Sequence, residues 1–166
     1  MAGKHGVIII RDKVKPGDLG MLLYLHGTIY AAERGYDLSF EGDIAASLGR
    51  FAAEKAGGGS NLWIAESGRR VVGTVGILRR ADGEAQLRWI LVHPDFRRRG
   101  LGGRLLSAAV DYSRRCGYRH VYLNHVEPDS PALPLYLALG FRETDRRDVR
   151  LWGKQFTSIA YRLDLA

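Results

Sequence analysis

A single cysteine, Cys116, leaves nothing for an internal disulfide framework and too few thiols for a Cys-rich zinc site, and no metal site is assigned. No apolar run approaches the roughly 20 residues that span a bilayer. The start, Met1-Ala-Gly-Lys-His-Gly6, lacks the apolar core and small-residue cleavage site of a secretory signal. The expectation is therefore a cytoplasmic protein with no membrane partner. Internal repeats and long linkers are missing too. Gly57-Gly58-Gly59-Ser60 is the one flexible stretch and reads as a loop. At 166 residues the chain has the size of one domain, residues 1–166. Acidic residues are the minority, 18 against 25 Lys+Arg, for a formal net charge of +7. That balance favours an anionic partner: nucleic acid, a membrane surface or a phosphate-bearing cofactor. Hydrophobic residues at 46% and charged ones at 26% exclude a disordered chain.

What is present alternates between strand and helix patterns. Gly6 to Arg11 is a β-branched run and reads as a first strand. Lys15-Pro16-Gly17-Asp18 is a turn, with Asp18 as the expected N-cap of a helix from Leu19 to Arg34 that Gly35 stops. Ser39 or Asp43 starts a second helix carried by Phe40, Ile44, Leu48 and Phe51. Leu62–Glu66 and Val71–Leu78 form a hairpin about Ser67-Gly68, and Asp82-Gly83 turns into a fourth strand from Glu84 to Val92. A third helix, Leu101 to Cys116, stops at Gly117, with Cys116 read as a buried small apolar residue. A fifth strand, Val121–His125, precedes a helix opened by Ser130-Pro131 and running from Ala132 to Leu139. Phe141 onward and Thr157–Leu165 read as closing strands. The order β-α-α-β-β-β-α-β-α-β-β implies an α+β domain built on a mixed sheet.

The segment that carries chemistry runs from Leu87 to Leu106. An apolar strand ends at Val92, and His93-Pro94 breaks it because Pro94 has no N–H and restrains the residue before it. Arg97-Arg98-Arg99-Gly100-Leu101-Gly102-Gly103-Arg104 then leads into a helix. A helix start offers unpaired N–H groups and partial positive charge. Glycines let that backbone approach an anion closely, and arginines add fork-shaped donors. The physical reading is a pyrophosphate cradle. The competing readings are a solvated charge run, a dinucleotide site and a nucleic-acid patch. The dinucleotide fingerprint would need Gly or Ala where Leu105 stands, and no Lys-Ser/Thr follows the glycines for a P-loop. The helix after the glycines is too apolar to face a groove, which argues against nucleic acid.

The spacing Arg97-x-x-Gly100-x-Gly102 after Val92-His93-Pro94 resembles the acetyl-coenzyme-A signature of the GNAT N-acetyltransferase superfamily. Ala132-x-x-Leu135-Tyr136-x-x-x-Gly140-Phe141 resembles a second motif of that family. The resemblance implies the GNAT fold: a mixed, mostly antiparallel sheet of about seven strands with four helices. A finer resemblance joins Leu87-Arg88-Trp89, Leu151-Trp152-Gly153-Lys154 and Ile29–Tyr36 with Phe40-Glu41 to the acetyltransferase half of bacterial MarR–GNAT fusions.

By that resemblance the fourth and fifth strands splay and acetyl-CoA lies in the gap. Its pantetheine pairs with Ile90, Leu91 and Val92, and its pyrophosphate sits on Arg98 to Gly103, with Arg97, Arg104, Asp129 and Tyr136 also at the cofactor. Asp129 stands where the family often has Asn, and a carboxylate cannot donate. The implied reaction is direct attack of a primary amine on the thioester. The Val92 N–H is the oxyanion donor and Tyr136 the general acid. The family's usual base positions hold Gln86 and Asn124, amides that take no proton at working pH. The remaining bases are water, Glu84, Glu33 or His125. Tyr30, Glu33, Glu41, Gln86, Asn124 and Trp152 are the residues expected to wall the acceptor site, for a small or amino-acid-like amine. A homodimer partner fits the same resemblance. The alternative to an enzyme is an acyl-CoA-binding sensor that lost its base.

Overall fold

The computed structural model describes residues 6–165, so the reading of the first residues as free of a secretory signal lies mostly outside the described part. The elements are β1 (Ile8–Arg11), α1 (Asp18–Arg34), α2 (Leu38–Glu54), β2 (Asn61–Ser67), β3 (Arg70–Arg79), β4 (Glu84–Val92), α3 (Leu101–Arg115), β5 (His120–His125), α4 (Leu133–Ala138), β6 (Arg142–Leu151) and β7 (Lys154–Asp164). The seven strands form one sheet in the order β1-β2-β3-β4-β5-β7-β6. Every pairing is antiparallel except β4 with β5. That is the α+β fold and element order the sequence implies.

Period-two alternation sorts the strands' side chains onto two faces. One face carries Trp63, Val75, Leu87, Val121 and Leu123 against Leu101, Leu105, Leu106 and Val110 of α3 and Tyr136 of α4. The other carries Leu62, Ile64, Leu78 and Trp89 against Leu22 of α1 and Phe40, Ile44, Leu48 and Phe51 of α2. Leu91 packs on that side against Leu25 and Ile29. Each fully buried leucine of α3 contributes roughly 1.5–3 kcal/mol by leaving water. Among the described residues no helix is long and apolar enough to cross a membrane.

Several boundaries differ from the sequence reading for physical reasons. Gly17, at φ 92°, is the N-cap of α1, and Asp18 is its first residue. The Asp18 carboxylate is instead buried against Arg11, with both oxygens 2.7 Å from the guanidinium, and accepts the Lys15 N–H. Burial pushes this carboxyl up, but those hydrogen bonds hold it below the usual aspartate range. Helix α2 starts at Leu38 because Asp37 accepts the Ser39 N–H at 2.9 Å. Strand β7 begins at Lys154, since Trp152 and Gly153 both take positive φ and close a two-residue hairpin. Cys116 is exposed, not buried: α3 ends at Arg115 and the chain turns away from the core there.

Candidate functional site

Strands β4 and β5 pair only where Glu84–Gln86 lie against His120–Tyr122. Beyond that point they diverge. Strand β5 continues along β7 to His125, while β4 continues along β3 to Val92. The bulge that bends β4 lies at Trp89, a non-glycine residue at φ 54°. Its indole occupies the space over Gly76, donates to Ser47 Oγ at 3.0 Å, and its carbonyl accepts from Thr74 Oγ1 at 2.6 Å. So the opening follows from one irregular residue locked by three partners.

Alternate residues of a strand turn their N–H and C=O to opposite neighbours. The His93 N–H donates to Val72 O on β3, so the Val92 amide faces the gap that β5 has left. Leu91 shares the phase of His93, and its amide turns to β3; it is not a gap-facing group, contrary to expectation. Ile90 has the phase of Val92. The Val92 carbonyl is already held by Arg97 Nε at 3.0 Å.

At the mouth of the gap, α3 begins after Gly100, which sits at φ 73°. A Cβ on Gly100 or Gly103 would project into open space, whereas one on Gly102 would lie 3.0 Å from Leu135 of α4. Gly102 is thus fixed by helix packing as well as by any anion. Leu101 is buried under the turn, and its side chain anchors the helix start. Arg98, Arg99 and Arg104 are exposed; Arg98 takes φ 59° and Arg99 lies over the Phe96 ring. Unpaired helix-start amides, glycines without Cβ and exposed arginines together fit a pyrophosphate. Arg97 departs from that set. Its guanidinium makes two 2.9 Å bonds to Glu33 of α1, so it ties helix to strand instead of pointing at the cradle, and Glu33 is not a free acceptor-site acid.

Tyr136 projects from α4 and is 3% exposed. Burial, reinforced by Tyr30 and Glu127, pushes its phenol well above 10, so it keeps its proton. Its ring meets His125 edge-on at 5.7 Å. His125 Nε2 donates to the Glu127 carbonyl, and burial holds its pKa below 6.5. Tyr30 stacks on Tyr36 at 5.6 Å, and Tyr36 leans on Trp152 at 4.8 Å. Trp152 Nε1 donates to Asp43 at 2.6 Å. Tyr30 and Trp152, both expected at the acceptor site, thus join Tyr36 in one aromatic cluster packed on the α1–α2 core.

Other expected residues lie elsewhere. Gln86 is buried where β4 and β5 still pair, and its Oε1 accepts from Arg80. Asn124 is exposed on β5 opposite Ala160. Glu41 is exposed and its side chain lies over Gly27 in the α1–α2 contact. Glu84 is 3.3 Å from His120 at the paired end of the strands, away from the gap. Asp129 is 3.2 Å from Arg34, which satisfies it without a cofactor. Among the described residues no group of three or more His, Cys, Asp or Glu could hold a metal ion.

The sequence reading passed over three groups. Glu127, in the β5–α4 loop, accepts the Tyr36 hydroxyl at 2.5 Å and lies 3.4 Å from Arg34. Arg88 is a half-buried β4 cation that meets no carboxylate at ion-pair distance among the described residues. His26 is a fully buried α1 imidazole. Charge residues in a loop and on a strand have no periodic signature; only the tertiary contacts mark them.

Comparison with known proteins agrees with this geometry. The sequence model of the acetyltransferase (GNAT) family matches residues 28–141. The chain is 30% identical over 154 residues to Xenopus laevis "Probable N-acetyltransferase camello", covering 90% of this chain and 66% of that protein. It is 34% identical over 110 residues to rat (Rattus norvegicus) N-acetyltransferase 8B, covering 63% of this chain and 46% of that protein. The chain thus spans about half to two-thirds of these relatives' lengths. Among solved structures, a Staphylococcus aureus N-acetyltransferase superposes with a TM-score of 0.80 at 16% identity, covering 97% of this chain and all of that one (100%). A Salmonella typhimurium protein solved with its cofactor acetyl-CoA superposes with a TM-score of 0.72 at 23% identity, covering 96% of this chain and 94% of that one. With its splayed strands, its glycine-started helix and the family match over residues 28–141, the chain belongs to the GNAT family of acetyltransferases.

Proposed function

We propose that the protein transfers an acetyl group from acetyl-CoA to the primary amine of a small, amino-acid-like acceptor. The observation that carries this reading is the divergence of β4 from β5, with the Val92 amide turned into the gap and the glycine-started α3 at its mouth. When bound there, acetyl-CoA supplies an activated acetyl thioester. The chain's own part is to bind and orient. The Leu101, Gly102 and Gly103 amides with Arg98, Arg99 and Arg104 suit the pyrophosphate, and Ile90 and Val92 offer backbone to an extended chain. The Val92 N–H is assigned the donation to an oxygen that gains charge. Tyr136 holds a proton at Oη for the leaving sulfur.

The amino-acid-like acceptor is supported by Arg88. Its guanidinium lies on the α1–α2 face of β4, and burial and then the charge of Arg80 lower its pKa. A half-buried cation without an ion-paired carboxylate is suited to an acidic group on the acceptor. The narrower likeness to the acetyltransferase half of MarR–GNAT fusions stays within this proposal, resting on Leu87–Trp89 and Trp152. The curated relatives above come from frog and rat.

The test is thiol release from acetyl-CoA with a panel of primary amines, with and without a carboxylate. Release with the carboxylate-bearing amines supports the reading. Tyr136→Phe should lower kcat by about 10²–10⁴-fold with acetyl-CoA affinity unchanged by calorimetry. Acetyl-CoA binding without release for any amine would instead establish the sensor alternative.

A further inference from the structure

Resting on the acetyltransfer reading above, we infer that Glu127 is the group that takes the proton from the acceptor's ammonium. The two positions where a carboxylate base was expected hold amides, which take no proton: Gln86, whose Oε1 accepts from Arg80, and Asn124, exposed on β5. Of the other carboxylates considered, Glu33 is clamped by Arg97 and Glu84 stands at the closed end of the strands. Glu127 also has an arginine partner, Arg34 at 3.4 Å, but it differs from both in its place. It follows β5 by two residues, on the open side of the gap, with its side chain 13% exposed.

Three features orient its carboxylate. The Tyr36 hydroxyl donates to Oε1, Arg34 Nη2 stands 3.4 Å from Oε2, and the chain beneath is pinned by His125 Nε2 donating to the Glu127 carbonyl. An ionised carboxylate has about four acceptor sites, so these partners leave room for an N–H. The charged and titratable groups around it are Arg34 and Tyr30 from α1, Tyr36 from the α1–α2 turn, His125 at the end of β5, Asp129 of its own loop through their shared partner Arg34, and Tyr136 from α4. Its charge is felt by the Tyr30 and Tyr136 phenols, one on each side of the gap.

The step is a single proton transfer. One N–H bond of the ammonium breaks, its electron pair stays on nitrogen, an O–H bond forms on Glu127, and the proton then passes to solvent. Arg34 and the Tyr36 hydroxyl keep the carboxylate aimed between turnovers. Neither needs to touch the amine.

The experiment is the pH profile of kcat/KM for wild type, Glu127→Gln, Glu127→Asp and His125→Asn, with acetyl-CoA affinity by calorimetry and thermal melts beside it. Wild type is expected to level off by about pH 7–8. Glu127→Gln should instead follow the neutral-amine fraction, climbing about tenfold per pH unit toward the amine's pKa, so that a loss of about 10²-fold at pH 7 shrinks to under about tenfold at pH 9.5. Glu127→Asp should restore the plateau in part. Acetyl-CoA affinity should be within about twofold of wild type throughout, because Glu127 makes no contact with the cradle. A uniform loss across pH in both Glu127 variants would reveal a merely structural residue and overturn the inference. So would an unchanged plateau in Glu127→Gln, or a plateau that only His125→Asn abolishes. Wild type that binds acetyl-CoA but releases no thiol with any amine removes the acetyltransfer reading itself, and the inference with it.

Discussion

Protonating His26 should cost the fold more than any other single titration above pH 4. This imidazole is fully buried in α1, where Nδ1 bonds the Leu22 carbonyl at 2.9 Å and Nε2 meets no partner among the described residues. Burial first, and then the nearby Arg88 charge, push its pKa down to about 4 from 6.5. Between those two values the unfolded chain binds a proton that the folded chain refuses, so stability rises with pH in that window. The contribution is complete above about pH 6.5 and is lost as pH falls to about 4. At 1.36 kcal/mol per pH unit the loss is about 3 kcal/mol. For a chain of this size that corresponds to roughly 6–12 °C in Tm. Urea unfolding of wild type and His26→Leu at half-unit steps from pH 4 to 7.5 measures it. His93 and His125 are also held below their ordinary value by burial, but they are common to both proteins and cancel in the difference. Wild type should lose about 3 kcal/mol of stability relative to His26→Leu as pH falls through that window. Parallel curves would show that His26 does not stay neutral and would refute the reasoning.

Two further perturbations test the architecture of the gap. A Cβ at Gly76 would lie 2.4 Å from the Trp89 ring, so Gly76→Ala should destabilise the fold by about 1–3 kcal/mol in urea and also weaken acetyl-CoA binding, because the indole holds the β4 bulge. Gly102→Glu sets a like charge and bulk into the helix start against Leu135; acetyl-CoA affinity should drop by at least about tenfold, and unchanged affinity would remove the cradle.

Much of this was legible in the sequence because it depends on short-range patterns. Apolar alternation and glycine stops located the helices and the inner strands, though the charged, exposed β6 carries no such alternation, and the Val92-His93-Pro94 break with the glycines after it located the start of α3. Where the reading failed, a tertiary contact outweighed a local rule. Asp18 has the chemistry of an N-cap, but Arg11, seven residues earlier, takes its carboxylate into a buried pair. Tryptophan is not a turn residue, so Trp152-Gly153 concealed the hairpin that Asp43 holds by bonding the indole. Arg97 looked like one more phosphate donor until its partner Glu33, 64 residues away in the chain, was placed. The same limit applies to Glu127, whose bond from Tyr36 spans 91 residues.

The last turn of α1 carries an anion and a cation next to each other in sequence. Glu33 grips Arg97, just past the end of β4, and Arg34 grips Glu127 and Asp129, just past the end of β5. One helix end therefore works as a spacer between two strand ends that no longer touch each other. The aperture between the strands becomes an electrostatic quantity, set by three partly exposed ion pairs worth only about 1 kcal/mol or less apiece. Added salt should loosen both grips at once, since each is partly in water. Whatever enters the gap must then fit a width that the solvent, as well as the core, helps to choose.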